Sequence, residues 1–383
     1  MSERSPMRGS ASGEMEPRGS DGRDLEVQGL VKYFGYDRAV DGLSFGVPRG
    51  RLLTLLGPSG CGKTTTLMCV AGLHRPDAGE IRVGEVPYTS VAGRVFLPPE
   101  RRDIGMVFQS YAIWPHMTVA QNVAYPLEIR KVDRAEIESR VAEVLRLVGL
   151  HAMAGKLATQ LSGGQQQRAA LARAIVFRPR LLLFDEPLSN LDLKLREQMR
   201  VELKRIQHEV GITSVYVTHD QAEALVMSDE IVVMSNGRIQ QQGGPRDIYA
   251  RPANRYVSSF IGVANLLPGR VVCVTAPGRG EIEVGEGVGR VRLPCRLGEG
   301  VEEGAPAVLS VRPENVEDVR EPGGEPRLEG EVLQTIFLGN CLDCRVRWGD
   351  FEWKVLAHPR ERLRPGERVY LRLDPEHSLA VQP

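Results

Sequence analysis

Five short segments carry residues whose types and spacing could do chemistry. In "GPSGCGKTT" (Gly57 to Thr65) three glycines precede a lysine and two threonines, after the apolar run "RLLTLL" and ahead of a helix-like stretch. Glycines let consecutive backbone N–H groups curl around phosphate oxygens, and a helix that starts there adds partial positive charge. Gly57, Pro58, Ser59, Gly60, Cys61, Gly62 and Thr65 would form that cradle, Lys63 would reach the β- and γ-phosphates, and the Thr64 hydroxyl would ligate Mg²⁺. A chance Lys-Thr pair in a glycine-rich turn would not need a strand before it and a helix after it. "LLLFDEP" ends a second apolar run in Asp185, which is costly to bury unless it meets a cation such as Mg²⁺. Glu186 beside it is placed to take a proton from an attacking water. "VYVTHD" presents His219 at the end of a third run, and "IGMVFQ" presents Gln109, whose amide could order Mg²⁺ or that water.

The fifth segment, "LSGGQQQR" (Leu161 to Arg168), reads locally as a capping box, with Ser162 at the N-cap and Gln165 reaching back to it. Gly163 and Gly164 in the first turn each cost about 1 kcal/mol relative to Ala, and a plain cap does not need them. Something is expected to come close to that backbone.

The elements that position these groups alternate along the chain up to about Gly262. "RLLTLLG" and "RLLLFDE" are continuous apolar runs, as in parallel strands covered on both faces. "DRAEIESRVAEVLRLVGL" opens with Asp133 and Glu136 as a capping box and sets Ile137, Val141, Val144, Leu145 and Val148 on one helical stripe. "LKLREQMRVELKRIQHEV" does the same with Leu195, Met199, Leu203, Ile206 and Val210, and Gly211 ends it. Open α/β sheets bind ligands at the carboxyl ends of their strands, so Lys63, Asp185 and His219 can converge there. Beyond residue 262 the helical period stops. "EIEV", "VRLP", "CLDCRVRW" and "VYLRL" alternate between turns, which predicts a small antiparallel barrel or sandwich. The reading is a disordered tail over 1–24, an α/β domain over 25–262 and an all-β domain over 263–383.

Composition bounds the function. The chain has 383 residues, 42% hydrophobic and 26% charged, and Lys+Arg equals Asp+Glu at 49 each, so no global basic field calls for nucleic acid. No apolar run approaches the roughly 18 residues of a membrane span, and residues 1–24 lack the apolar core of a secretory signal. The expected location is cytosolic, with any membrane contact made through a partner. Cys341 and Cys344 form C-x-x-C within an alternating strand, where residues three apart point to opposite faces, so a metal or redox pair is not expected. The loop "YAIWPHMTV" holds Tyr111, Trp114 and Met117, and reads either as a satellite core of a helical insertion or as a partner-docking patch. Cys61 lies where helix-terminal amides could lower its pKa, which predicts alkylation that ATP prevents; a neutral filler position is the alternative.

With these motifs in order, residues 25–262 resemble the ATP-binding-cassette (ABC) ATPases, closest to the importer ATPases for sugars, polyamines and ferric iron. The fold implied is a P-loop NTPase core with a helical subdomain, followed by an OB-like (TOBE) regulatory domain at 263–383, which "SVRPENVEDV" and "FLGNCLDCRVRW" resemble. The resemblance implies that Phe34 in "VKYFG" stacks on adenine, with Tyr33 beside it as the other candidate. It implies that Thr64, Gln109 and Asp185 hold Mg²⁺, and that Glu186, His219 and Gln109 serve catalysis. Ser162, Gly163, Gly164 and Gln165 of one copy would cover the γ-phosphate bound by another, with Asp192 linking the two sites. The cofactors are then ATP and Mg²⁺. The partners are a second copy, two transmembrane permease subunits reached around Gln109 and Trp114, and indirectly an external solute-binding protein. The chain would sit on the cytoplasmic face of the cell membrane. "YAIWPHMTV" and "FIGVANLLPGRV" look more like the ferric-iron and polyamine branch than the maltose branch. A soluble ABC ATPase of ribosomes or DNA, and a solute-sensing regulator built on the barrel, are the readings from other classes.

Overall fold

The computed structural model describes residues 22–285, 290–319 and 327–383. The expected tail, 1–24, lies outside them except for its last three residues, and Arg23 and Asp24 already belong to the first strand. Asp24 is held there because Thr213 Oγ1 donates to its carboxylate at 2.6 Å.

Strands β1 (Arg23–Phe34) and β2 (Asp37–Pro48) pair antiparallel, and β3 (Leu52–Leu56) then runs into helix α1 (Lys63–Ala71). β4 (Ala78–Val83), β5 (Val86–Ser90) and β6 (Val95–Phe96) extend the first pair into a sheet ordered β2-β1-β4-β5-β6. After β7 (Ile104–Val107) come the helices α2 (Val119–Ile129), α3 (Arg134–Leu147) and α4 (Gly163–Ile175). The remainder of this part is β8 (Leu181–Asp185), α5 (Leu193–Val210), β9 (Thr213–Thr218), α6 (Gln221–Met227), β10 (Glu230–Ser235), β11 (Arg238–Gly243), α7 (Pro245–Ala250) and α8 (Arg255–Phe260).

The second sheet runs β11-β10-β3-β9-β8-β7, parallel except for β11 at its edge. Every residue of β3 and β9 is buried, as strands covered on both faces require. One apolar core lies between the two sheets and α1, and another between the parallel sheet and α2 to α5. The helical stripes point where their period says. Val141 and Leu145 of α3, and Met199, Leu203 and Ile206 of α5, are buried in the second core. Each such side chain contributes roughly 1.5–3 kcal/mol by leaving water. The capping box expected at α3 is only half made. Asp133 accepts from Ala135 N–H at 3.0 Å, but Glu136 pairs with Arg140 one turn on. A half-buried arginine at i+4 outcompetes the reach back to the cap.

Among the described residues beyond Gly262 the regular structure is strand, apart from 3-10 turns at Pro313–Asn315 and Pro375–His377. β12 (Asn265–Ala276), β13 (Arg279–Val284), β14 (Val291–Leu297), β15 (Pro306–Val311), β16 (Val316–Val319), β17 (Arg327–Phe337), β18 (Leu342–Trp348), β19 (Phe351–Ala357), β20 (Arg368–Leu373) and β21 (Ser378–Val381) follow. They make the expected barrel and, beside it, a second sheet. β12-β13-β14-β21-β15 closes as a barrel, and β16-β20-β17-β18-β19 is a second five-stranded sheet. The chain's last strand closes the barrel, antiparallel to β15 and parallel to β14, so a long detour through the second sheet separates β15 from its neighbour. Asn265 joins the two by exchanging hydrogen bonds with the Lys354 backbone at 2.8 and 2.9 Å. In β18, Leu342, Cys344 and Val346 face inward, which separates Cys344 from the half-exposed Cys341 as the alternation predicted.

Candidate functional site

The sheet order brings together residues that are far apart in sequence. β3, β9, β8 and β7 lie side by side with their carboxyl ends level: Leu56 is opposite Thr218, Val217 opposite Asp185, and Phe184 opposite Val107. The loops that leave these ends carry Lys63, His219, Glu186 and Gln109 in turn.

At the end of β3 the loop 57–62 turns tightly. Gly62 has φ +101°, and a Cβ there would lie 2.3 Å from the Ala39 carbonyl oxygen. A Cβ on Gly57 would lie 2.4 Å from the Met234 carbonyl oxygen. The glycines at these two positions are therefore required by the protein's own backbone. α1 starts after Gly62 with no side chain capping its first turn, which leaves its N–H groups free for an anion. The buried Lys63 ammonium donates to the carbonyls of Gly57 and Pro58 at 2.8 and 2.9 Å, which anchors it at the loop's centre.

Thr64 Oγ1 donates to Asp185 Oδ1 at 3.0 Å. Burial pushes the Asp185 carboxyl above the usual carboxylate range, Thr64 works against that, and the neighbouring Glu186 reinforces it. A hydroxyl and a desolvated carboxylate are hard oxygen donors of the kind Mg²⁺ takes alongside phosphate oxygens and water. Among the described residues no cluster of three or more His, Cys, Asp or Glu could hold a metal alone, and phosphate-bound Mg²⁺ needs only one or two carboxylates. The donor set fits the ion.

Glu186 has φ +45°, a left-handed conformation that costs a non-glycine residue about 1–2 kcal/mol. Its backbone is held there by its own N–H donating to Val217 O at 3.1 Å, and by the Ser189 N–H and hydroxyl donating to its carbonyl at 3.2 and 2.9 Å. Strain maintained in this way concentrates at functional sites. The turn aims the carboxylate at His219, whose Nδ1 lies 3.0 Å from Glu186 Oε2. Gln109 is exposed past β7, and its carbonyl accepts from Asn190 Nδ2 at 2.9 Å, which ties its loop to the one after Glu186.

Ser162 caps α4, and Gln165 Oε1 accepts from its backbone N–H at 3.0 Å. Ser162 and Gly163 are exposed, but Gly164 is buried. A Cβ on Gly164 would lie 3.1 Å from Leu195 Cδ1, and one on Gly163 would lie 3.2 Å from Leu191 Cδ2. A side chain at 164 would thus crowd Leu195 in the packing of α4 on α5, besides any ligand. Asp192 is the N-cap of α5 and accepts from Leu195 N–H at 3.0 Å.

Burial bears on two readings that the sequence left open. Cys61 is buried and desolvation pushes its thiol up, with Lys63 only partly offsetting this, which favours the neutral filler position over an activated thiolate. Tyr111 is buried, as the satellite-core reading of its loop has it. The loop that holds it is a built structure: Arg173 donates to the carbonyls of Tyr111 and Ala112 at 2.9 and 2.6 Å and lies over the Trp114 ring at 4.7 Å. Trp114 also packs on Tyr125 with ring centroids 4.5 Å apart, leaving Trp114 and Met117 half-exposed. Of the two aromatic candidates, Arg38 occupies Tyr33, donating to its hydroxyl at 2.6 Å and covering its ring at 5.0 Å, whereas the neighbouring Phe34 is 47% exposed.

Residues 40–189 match the family described as ABC transporter, and residues 309–381 match the TOBE domain. The spermidine/putrescine import ATP-binding protein PotA of Methylococcus capsulatus is 45% identical over 363 residues, covering 91% of this chain and 92% of the relative. The trehalose/maltose import ATP-binding protein MalK of Thermococcus litoralis is 47% identical, covering 88% and 92%. The Fe(3+) ions import ATP-binding protein FbpC 1 of Rhizobium meliloti is 45% identical, covering 83% and 86%. The chain belongs to the ABC transporter ATPases. It is an ATP-hydrolysing subunit of the importer type with a TOBE domain. A solved structure of cbiO1 from Clostridium perfringens, part of the ABC transporter complex cbiONQ, superposes with a TM-score of 0.54 at 30% identity, covering 60% of this chain and 91% of the other.

The ABC ATPase motifs were legible, but the residues that brace them were not. Asp220 caps α6 by accepting from Ala222 and Glu223 N–H at 2.8 and 3.1 Å, and pairs with Arg200 at 3.1 Å and Arg196 at 3.5 Å on α5. The buried Glu223 accepts from the Tyr216 and Thr218 hydroxyls at 2.9 and 2.7 Å, which fixes the end of β9 just before His219. Only a glutamate four residues past the histidine, on a helix packed on that strand, signalled it.

Proposed function

We propose that Lys63, Thr64, Asp185, Gln109, Glu186 and His219 form one ATP-hydrolysing centre, completed in a head-to-tail homodimer by Ser162 to Gln165 of a second copy. The observation that carries the reading is the coincidence, on adjacent strand ends, of the Thr64–Asp185 and Glu186–His219 pairs beside a buried lysine. The 57–62 loop and the first turn of α1 take the phosphates, and Phe34 takes the adenine face. Thr64, Asp185 and Gln109 hold Mg²⁺, which when bound neutralises charge building up on the β- and γ-oxygens. Glu186 orients the attacking water and accepts its proton, and His219 holds the Glu186 carboxylate in place. Ser162 and the exposed start of α4 present donors and a positive helix end to the partner's γ-phosphate, and Asp192 sits at the adjacent end of α5.

Mixing two crippled chains tests the shared site. Lys63→Met spoils the phosphate cradle and Ser162→Arg spoils the covering segment, so each homodimer has a defect at both sites. A mixed dimer has one site with both defects and one intact site, and ATPase activity is expected to return on mixing. No recovery would mean that each chain completes its own site.

For the solute, we assign polyamines, with ferric iron and maltose-type sugars as the competing cargoes. Support comes from the relative named for spermidine/putrescine import, which matches over the longest stretch of the three. Identities of 45–47% do not separate the three, as expected if the ATPase does not touch the cargo. The remaining assembly is two permease subunits, contacted around Gln109 and Trp114, and an external solute-binding protein. No helix among the described residues is long and apolar enough to cross a membrane, so attachment to the cytoplasmic face runs through those subunits. Deleting the gene is expected to abolish uptake of labelled spermidine while ferric iron and maltose uptake continue. Loss of either of those, with spermidine uptake intact, would reassign the cargo.

A further inference from the structure

Between the ATPase part and the barrel the chain passes through Ser258 to Val263, and this segment is held from both sides. On the ATPase side Gln221, the first residue of α6, uses both ends of its amide: Nε2 donates to the Phe260 carbonyl, and Oε1 accepts from Gly262 N–H at 2.7 Å. On the barrel side the buried Arg312, just past β15, donates to the carbonyls of Ser258, Ile261 and Val263 at 3.1, 2.7 and 3.2 Å and of Tyr249 at 2.9 Å. Its guanidinium lies 4.3 Å over the Tyr249 ring, and the Tyr249 hydroxyl donates to Glu314 on the same barrel turn. Gly262 has φ +69°, and a Cβ there would lie 3.0 Å from that ring. Ser258 and Ser310 hydroxyls meet at 2.6 Å, and Arg255 N–H donates to Gln382 O at 2.9 Å.

Gln221 is also two residues from His219. Asp220 between them caps α6 and is pinned to Arg200, so His219, Asp220 and the first turn of α6 move as one piece. We propose that Gln221 is a positioning residue for hydrolysis: its amide ties the His219 turn to the 258–263 segment, and Arg312 ties that segment to the barrel, so that the C-terminal domain helps set where His219 stands against Glu186. An amide is suited to this because it pairs with one carbonyl and one N–H at once, and a planar guanidinium can serve several carbonyls where an ammonium cannot. The inference rests on the reading of His219 and Glu186 as catalytic groups.

The test uses full-length chain: wild type, Gln221→Ala, Gln221→Glu, Arg312→Lys, the Gln221→Ala/Arg312→Lys double variant and His219→Ala. Each tether variant is expected to lower kcat roughly 2- to 30-fold with little change in KM for ATP, because the phosphate cradle is untouched. Backbone amide exchange is expected to quicken at Phe260–Val263 and also at Thr218–Asp220, even in Arg312→Lys. The double variant is expected to be no worse than the more severe single one, because both residues hold the same segment. Multiplied effects, or Arg312→Lys leaving kcat and exchange at 218–220 unchanged, would overturn the tether. Gln221→Ala removes one half-exposed amide and leaves Arg312 in place, so it reports even if Arg312→Lys folds poorly. If His219→Ala keeps wild-type turnover, the catalytic reading fails. If it loses turnover while Gln221→Ala and Arg312→Lys keep theirs, the tether alone fails.

Discussion

Glu186→Gln is expected to lower kcat for ATP by about 10²- to 10⁴-fold while ATP still binds. Glutamine matches glutamate in size, so the φ +45° turn and its anchors to Val217 and Ser189 remain. An amide oxygen can still meet His219 at the distance the carboxylate does, but it cannot take a proton from water. Lys63, Thr64 and Asp185 are unchanged, so the phosphate cradle and the Mg²⁺ donors persist. If two copies close on ATP as proposed, binding without hydrolysis is expected to leave that dimer closed. Phosphate release assays, fluorescent-nucleotide titration and light scattering with and without Mg²⁺-ATP measure the three quantities. Turnover at the wild-type rate would end the assignment of Glu186 as base.

Lys63→Met is expected to weaken ATP binding by about 2–5 kcal/mol, a loss of roughly 30-fold or more in affinity. Methionine keeps the apolar stem that packs in the loop but carries no ammonium. The Gly57 and Pro58 carbonyls lose their donor, and no side chain of the loop replaces the charge facing the phosphates. The change also separates two roles. Lys63→Met should fail at binding and Glu186→Gln at turnover, so equilibrium titration distinguishes them where an activity assay does not. Affinity within threefold of wild type would show that the backbone amides and α1 hold the phosphates unaided.

The proposed nucleotide site could be read from the sequence because its chemistry is local. A phosphate cradle needs glycines, a lysine and a hydroxyl within nine residues, and the buried strands announce themselves as unbroken apolar runs. Where the sequence left alternatives open, the environment separates them. Cys61 looked activated from its place at a helix start, but the apolar packing around it, drawn from other strands, pushes its thiol the other way. Tyr111 sits in a loop readable as satellite core or docking patch, and it is buried where Arg173, 62 residues on, holds the loop carbonyls. The C-terminal alternation identified strands but not their partition into a barrel and a second sheet. A period of two says which face is buried and nothing about which strand lies alongside.

By itself, then, the sequence determined which groups can hold phosphate, which carboxylates stand at strand ends, where helices begin and stop, and which family the chain joins. Tertiary structure alone decided the order β3-β9-β8-β7 that puts His219 between Lys63 and Glu186, the close Leu195 contact that crowds Gly164, and the grip of Gln221 and Arg312 on one segment. The physical reason is range. Caps, turns and burial patterns are settled among neighbours in the chain, whereas strand order and side-chain convergence depend on free energies summed over contacts between residues distant in sequence.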